Sequence, residues 1–437
     1  MKRKEFTLLI VLLCLSTEIR SQQQCRKFTL DELFRLADEN SKSQQIHDFR
    51  IEEAQKSILT AKKEQLPTLN ARLSVGYLGN GRIWDRDFSN GMKADIPHFG
   101  NNFALAASQI IYSGGAVSSG METAEIAEKI AVKEKLLDKS NLRFLISGYY
   151  LELYKLDNQQ KVYDKNIALT EELLTSVRTK YIQGTVLEND ITRYELQKAN
   201  YKLAKEKIEN NRHVINYRLN MLVGIDNTTV VQPDTAFLHE LPTAEQSTEW
   251  QKTAATSAHS IALSELGIQQ SKQKERLIRS ESLPKISIVA EEHLDGPVTI
   301  EVPALNKNFN YWFVGIGLNF NISSIYRNRD RINKARIETM RQKEAHALLL
   351  DELACNIEND YTHYREAVNE MSTLLTSVKL AQQNYTTVQT RYKNGLALAT
   401  DMLEVSNSLL NAELSLANAR ANVQFAFYKL KHTSGTL

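Results

Sequence analysis

Tyr181-Ile182-Gln183-Gly184-Thr185-Val186-Leu187-Glu188-Asn189-Asp190 returns 211 residues later as Tyr392-Lys393-Asn394-Gly395-Leu396-Ala397-Leu398-Ala399-Thr400-Asp401. The echo extends to Leu169/Leu380, Thr175/Thr386, Val177/Val388 and Thr179/Thr390 on one side. On the other it reaches Asn200/Asn411 and Leu203/Leu414. A repeat at about half the length of a 437-residue chain marks a duplicated unit rather than a short solenoid period. The copied block reads as a helix, a glycine-marked turn and a second helix that opens with an acidic residue.

The segments leading into these turns lack helix breakers. From Leu318 to Asn394 there is neither glycine nor proline, and from Met121 to Gln183 only Gly148 intervenes. Leu350, Ile357, Tyr364, Met371, Val378, Tyr385 and Tyr392 fall seven apart, with Ala354, Tyr361, Val368 and Leu375 four residues after the first members. That is a coiled-coil seam. Ile146, Leu153, Ile167, Leu174 and Tyr181 are its counterparts, interrupted by the polar Gln160. A helix over 326–392 would be on the order of 100 Å long, which suits a tube or a stalk. Shorter helices are predicted over 29–64 and 248–281, and after the turns over 187–222 and 398–431. Thr29-x-x-Glu32 supplies a capping-box start for the first.

Between the helices the period changes to two. Gln65-Leu66-Pro67 and Ser282-Leu283-Pro284 are matching points where proline ends a helix and forces an extended path. Leu69, Ala71, Leu73, Val75 and Tyr77 then alternate with Asn70, Arg72, Ser74 and Gly76. In the second half Trp312, Val314, Ile316, Leu318, Phe320 and Ile322 alternate with Tyr311, Phe313, Gly315, Gly317, Asn319 and Asn321. One apolar face backed by a small and polar one fits a tilted membrane strand with water on its other side. A soluble hairpin with one buried face fits the same pattern. Partner strands are expected over 102–112 and 285–293, joined by loops over 80–101 and 295–309. The order helix, strand, strand, long helix, turn, helix thus occurs twice, giving an α+β, mostly α chain.

Four strands cannot close a barrel in lipid, because two edges would leave backbone groups unpaired in hydrocarbon at several kcal/mol each. Membrane strands here therefore imply pooled chains. Two would make a filled eight-stranded barrel; three would make twelve strands and begin to leave a passage.

Lys2-Arg3-Lys4 before the apolar run Phe6–Leu15 has the layout of a secretory signal, predicted over 1–22, with a short buried helix as the alternative. Cys14 would leave with it. Cys25 and Cys355 do not make a disulfide framework. Cys25 follows Gln22-Gln23-Gln24 rather than the small, aliphatic residues of a lipid-anchor site, so no lipidation is expected. With 54 basic and 52 acidic residues the net charge is +2, and no basic cluster points to nucleic acid. No nucleotide-binding glycine loop, His-Glu-x-x-His, Gly-x-Ser-x-Gly or Cys-x-x-Cys occurs, and the nine histidines stand singly. Neither an enzyme, a cofactor nor a metal site is expected.

The duplication, the two Leu-Pro junctions, Tyr112-Ser113-Gly114-Gly115 and the paired turn motifs together resemble the TolC family of outer-membrane efflux proteins. The second half departs from the pattern, with Ser323-Ser324-Ile325 in place of Ser113-Gly114-Gly115. The resemblance implies a homotrimer with a 12-stranded outer-membrane β-barrel continued by a long α-helical coiled-coil periplasmic tunnel. It implies two efflux repeats, 23–224 and 248–437, joined by a linker over 225–247. The function implied is a passive exit duct of a tripartite efflux or type I secretion system. Its partners would be a periplasmic adaptor, an inner-membrane pump of the RND or ABC kind and outer-membrane lipid. A structural coiled-coil protein of the envelope is the alternative, and the apolar-faced strands weigh against it.

Gly184 and Gly395 suit left-handed helix ends, and Asn189 and Thr400 align as N-caps of the following helices. Asp190 and Asp401 fall in the first turn, where a carboxylate favours the helix dipole. Asp401 and Glu404 share a helix face three residues apart. By the resemblance they form an acidic ring at the tunnel's closed end. Gly184, Thr185, Val186, Leu187 and Asp190, with Gly395, Leu396, Ala397 and Leu398, would be adaptor-docking turns. Pure turn geometry also accounts for them.

Overall fold

The computed structural model describes residues 25–234, 242, 244–301 and 303–437. The expected signal over 1–22, Cys14 included, lies outside these residues, as do 235–241 and 243 of the expected linker. In chain order the elements begin with β1 (Cys25–Phe28), α1 (Leu30–Asn40), α2 (Lys42–Lys63), β2 (Thr68–Tyr77), β3 (Gly81–Ile83), β4 (Met92–Ala94) and β5 (Phe99–Tyr112). The long α3 (Ala116–Ile182), α4 (Glu188–Val223) and β6 (Val230–Pro233) follow. The second half contains α5 (Ser247–Ser257), α6 (His259–Ser280), β7 (Lys285–Gly296), β8 (Phe309–Asn319), α7 (Ser324–Lys393) and α8 (Ala399–Ser434). The duplicated order is therefore present, with 67 residues in α3 and 70 in α7.

Two compact units emerge, and each draws on both halves. The helical unit takes the described residues up to Asp48, with Lys133–Ala262 and Leu348–Leu437. The strand-bearing unit takes Phe49–Val132 and Leu263–Ala347.

In the helical unit the seam residues Ile146, Leu153, Ile357, Tyr364, Met371, Tyr385 and Tyr392 are buried. Phe28, Leu33, Ile146, Tyr150, Leu153, Leu219 and Val231 form one core cluster, which ties α1 and β1 to α3 and α4. The Tyr150 hydroxyl donates to the Phe28 carbonyl at 2.8 Å and accepts from the Asp234 amide at 2.7 Å. Burial raises its pKa, so the phenol stays neutral. β6, part of the expected linker, pairs in parallel with β1. Asn216 holds it by donating to the Thr229 carbonyl and accepting from the Val231 amide, each at 2.8 Å. Neither β1 nor β6 has the alternation that would announce a strand.

The helices expected over 29–64 and 248–281 are each two helices. Ser41 (φ −64°, ψ 130°) and Ala258 (φ −64°, ψ 121°) are extended, and each amide closes the preceding helix by bonding to Ala37 or Ala254. Thr29 caps α1 as expected, its hydroxyl accepting from the Glu32 amide at 3.2 Å. Glu32 does not complete the capping box, because its carboxylate pairs with Arg26 at 2.6 Å.

The strand-bearing unit is built on a four-stranded antiparallel sheet in the order β2-β5-β7-β8. The register places Leu69, Ala71, Leu73, Val75 and Tyr77 on one face with Leu105, Phe103, Ile288, Trp312, Val314 and Ile316. This face is bare: Leu73 and Ile316 are 71% and 75% exposed. The opposite face carries Asn70, Arg72, Ser74, Ala104, Ala106, Ser287, Glu291 and His293. On β8 the small and polar expectation fails, since Phe309, Tyr311 and Phe313 stand on that opposite face. β3 and β4 add a short hairpin within the loop expected over 80–101.

Gly114 has φ +66°, and a Cβ there would lie 2.8 Å from Leu283 Cβ and 3.0 Å from the Ser280 carbonyl. The first half's strand-to-helix bend thus packs on the second half's Leu283-Pro284 junction, where only hydrogen fits. The second half makes its bend without glycine. The Ser324 hydroxyl donates to the Asn321 carbonyl at 2.6 Å and closes a tight turn into α7.

Candidate functional site: the paired helix turns

α3 ends at Ile182 and α7 at Lys393, each followed by a left-handed glycine, Gly184 (φ +72°) and Gly395 (φ +75°). The Gly184 amide donates to Tyr181 at 2.9 Å and Thr185 to Lys180 at 3.0 Å. Gly395 donates to Tyr392 at 3.1 Å and Leu396 to Arg391 at 2.8 Å. These are helix C-caps that satisfy the last carbonyls. No atom lies within 4 Å of a Cβ built on either glycine, so the backbone angle alone demands the residue.

The N-caps differ from expectation. Asn189 and Thr400 lie inside the following helices, and Leu187 and Leu398 occupy the cap positions. A leucine side chain cannot accept a hydrogen bond, so the reverse half of the capping box does the work. Asp190 accepts from the Leu187 amide at 3.3 Å, and Asp401 from the Leu398 amide at 2.9 Å. This places both aspartates at the third helical position, near the positive end of the dipole.

The structure brings the two turns together. Leu173, Leu174 and Val177 of α3 share a core with Tyr194 of α4, Tyr385 and Tyr392 of α7, and Met402, Val405 and Leu409 of α8. Val186 and Ala397, from the turns themselves, pack against it. Lys180 Nζ donates to the Tyr392 carbonyl at 2.8 Å and lies 3.9 Å from that ring's centroid. Tyr194 donates to the Ala399 carbonyl at 3.1 Å. Below them, Tyr201 donates to Asn407 at 2.8 Å and Gln197 to the same oxygen at 3.0 Å. Burial raises the pKa values of Tyr194, Tyr385 and Tyr392, so these phenols remain uncharged.

The duplicate positions are not equivalent. Tyr392 is 2% exposed and Tyr181 44%. Asp401 and Glu404 are exposed on α8, while Asp190 is half-buried. Leu187, Leu396 and Leu398 project as exposed apolar residues beside Gly184, Thr185 and Gly395. Ile182, absent from the sequence-derived set, is exposed at the same end of α3. The ties of Lys180 and Tyr194 across the halves were also missed, since neither residue is conserved between the two copies of the motif. Among the described residues no group of histidine, cysteine and carboxylate side chains could hold a metal ion. Among them, too, no helix is long and apolar enough to cross a membrane, a finding that does not bear on a β-barrel.

Residues 250–436 match the family model described as outer membrane efflux protein. No curated relative matches the chain by sequence. Among solved structures, the outer membrane protein VceC from Vibrio cholerae aligns with a TM-score of 0.76 at 16% identity, over 93% of this chain and 96% of that one. The open-state MtrE outer membrane channel of Neisseria gonorrhoeae aligns with 0.73 at 17% identity, over 96% and 93%. CusC, described with transmembrane channel formation, aligns with 0.78 at 13% identity, over 93% and 92%.

Proposed function

Residues 250–436 belong to the outer membrane efflux protein family and the chain has the TolC-like fold; from that premise we propose that three copies form a passive exit duct in the outer membrane of a Gram-negative cell. One observation supports this above the others. The sheet β2-β5-β7-β8 has an exposed apolar face and two unpaired edges, β2 and β8. In lipid those edges need partners, and β8 of one copy beside β2 of the next continues the antiparallel order. Three copies give twelve strands, enough to leave a passage, its wall small and polar on β2 and β5 and aromatic on β8.

In this reading the paired turns are the periplasmic end. Asp401 and Glu404 from three chains ring a constriction, attracting cations and repelling anions as charged rings do in channels. The exposed Leu187, Leu396 and Leu398, with Gly184, Thr185, Val186, Asp190, Gly395 and Ala397, meet the helical hairpin of a periplasmic adaptor. An inner-membrane pump, of the RND or ABC kind, drives transport. The chain itself performs no catalysis. The family is one of efflux ducts rather than an enzyme class.

The test separates charge from folding, because Asp401 also caps α8. Asp401→Asn with Glu404→Gln removes both charges and keeps an acceptor for the Leu398 amide. In planar-bilayer recording the double variant is expected to conduct more and to lose most of its cation preference. Unchanged ion selectivity would contradict the acidic gate.

A further inference from the structure

Water-filled barrel walls are polar as a rule, and the face of β8 opposite the apolar one is not. Phe309, Tyr311 and Phe313 project from it at every second position and are 54%, 40% and 54% exposed. They form a built surface rather than three loose rings. Phe309 stacks on Tyr311 with centroids 5.3 Å apart, and His293 of β7 also stacks on Tyr311, at 4.8 Å with planes 6° apart. Phe313 lies down over Gly315, where a Cβ would run into its ring. The glycine thus holds the ring against the wall, with its outer face open.

The charges nearby are unevenly placed. β7 presents Glu291 and Asp295 on the same face, on either side of His293. Glu291 contacts His293 at 3.3 Å, and Asp295 accepts from Asn102. The strands put two basic residues on this face. Arg72 shares a row with His293 and Tyr311 but stands on β2, three strands and so about 14 Å from β8 within one chain; in the trimer the β2 of the next copy brings one such arginine to the open edge of β8. Lys285 opens β7, six residues from Glu291 and about 20 Å along the strand. Three stacked rings, the ring of Phe313 and two carboxylates, against the one arginine at the edge of β8, complement one class of solute. That class has a flat aromatic body and a positive charge: the rings offer stacking and cation–π faces, the carboxylates offer charge.

We propose that Phe309, Tyr311 and Phe313, with His293, Glu291 and Asp295, form a wall site of the duct that retards aromatic organic cations. The site rests on the duct reading, which puts this face on the lumen, and it names a solute class that reading leaves open. The full-length trimer in planar bilayers tests it, with methyl viologen (an aromatic dication) and hexamethonium (an aliphatic one) added from the side of the strand-connecting loops. Methyl viologen is expected to block the wild-type current at lower concentration than hexamethonium. Phe309→Leu with Phe313→Leu keeps apolar bulk and removes two rings. This variant should raise the half-blocking concentration of methyl viologen about tenfold and leave hexamethonium within twofold. Glu291→Gln should weaken both blockers. Equal methyl viologen block in wild type and the leucine variant overturns the site, as does block relieved only by Asp401→Asn with Glu404→Gln. A wild-type protein that conducts no current removes the duct reading, and the wall site with it.

Discussion

His432 illustrates how one side chain sets a response of the helical unit. Its ring stacks on Phe144 with centroids 4.7 Å apart, and Nε2 meets Asn141 Oδ1 at 2.8 Å. Burial lowers its pKa below the ordinary value of 6.5, partly offset by Asp360. Asp360 is itself 4% exposed and occupied by Lys429 at 2.8 Å and Thr433 at 2.6 Å. The sign follows from linkage. Below pH 6.5 the unfolded chain binds a proton on this ring that the folded chain resists, so stability falls as the pH drops. His259, depressed by burial and Lys133, acts in the same direction. The thermal midpoint is expected to fall between pH 7 and pH 5, and to fall less in His432→Gln. An identical slope in the variant would remove this residue from the account. Residue roles were only partly legible in the sequence. The left-handed glycines were readable because Gly184 and Gly395 follow long breaker-free stretches. The N-caps were not: Asn189 and Thr400 have the right chemistry, but the carboxylates of Asp190 and Asp401 reach back far enough to cap at leucine instead.

At the scale of elements, both long helices, all four strands of the large sheet and the turns could be read from period and punctuation. The breaks at Ser41 and Ala258 could not be read locally, because neither residue has an intrinsic reason to stop a helix. Both are nearly buried, at 6% and 4% exposure, so packing sets their angles. A signal existed at longer range: Ser41 and Ala258 stand 217 apart, as do Pro67 and Pro284. Aligning the halves on the Leu-Pro junctions would have shown two matched positions. β1 and β6 gave no such signal, being four-residue strands specified by Tyr150 and Asn216. The glycines at element ends differ in a measurable way. Gly395→Ala meets no neighbour, and should cost only the left-handed penalty of about 1–2 kcal/mol. Gly114→Ala adds a clash with the Ser280 carbonyl and Leu283, and should lower the thermal midpoint and trimer yield further. The reverse ranking would show that the bend does not depend on that close approach.

For the whole molecule, what matters most is what one chain leaves unfinished. β2 and β8 are bare edges of an otherwise regular sheet, and one face of that sheet is apolar at alternate positions from Leu69 to Tyr77 and from Trp312 to Leu318. An envelope coiled coil without a conduit would have no use for either feature. If the strands lie in lipid, four that cannot close call for pooled chains, and this was legible in the sequence. Which edges would meet was not, and the strand order leaves β2 and β8 as those edges. The decisive measurement is disulfide trapping across the seam, in full-length protein with Cys25 and Cys355 replaced by serine. Ser74→Cys on β2 is combined in turn with Tyr311→Cys, Phe313→Cys and Gly315→Cys on β8, oxidised in the membrane and run on denaturing gels. Covalent dimers and trimers are expected, strongest for one of the three pairs, and none when the β2 cysteine is paired with Ala104→Cys on β5. Only monomers in every combination, or ladders ending at the dimer, would contradict the three-copy duct.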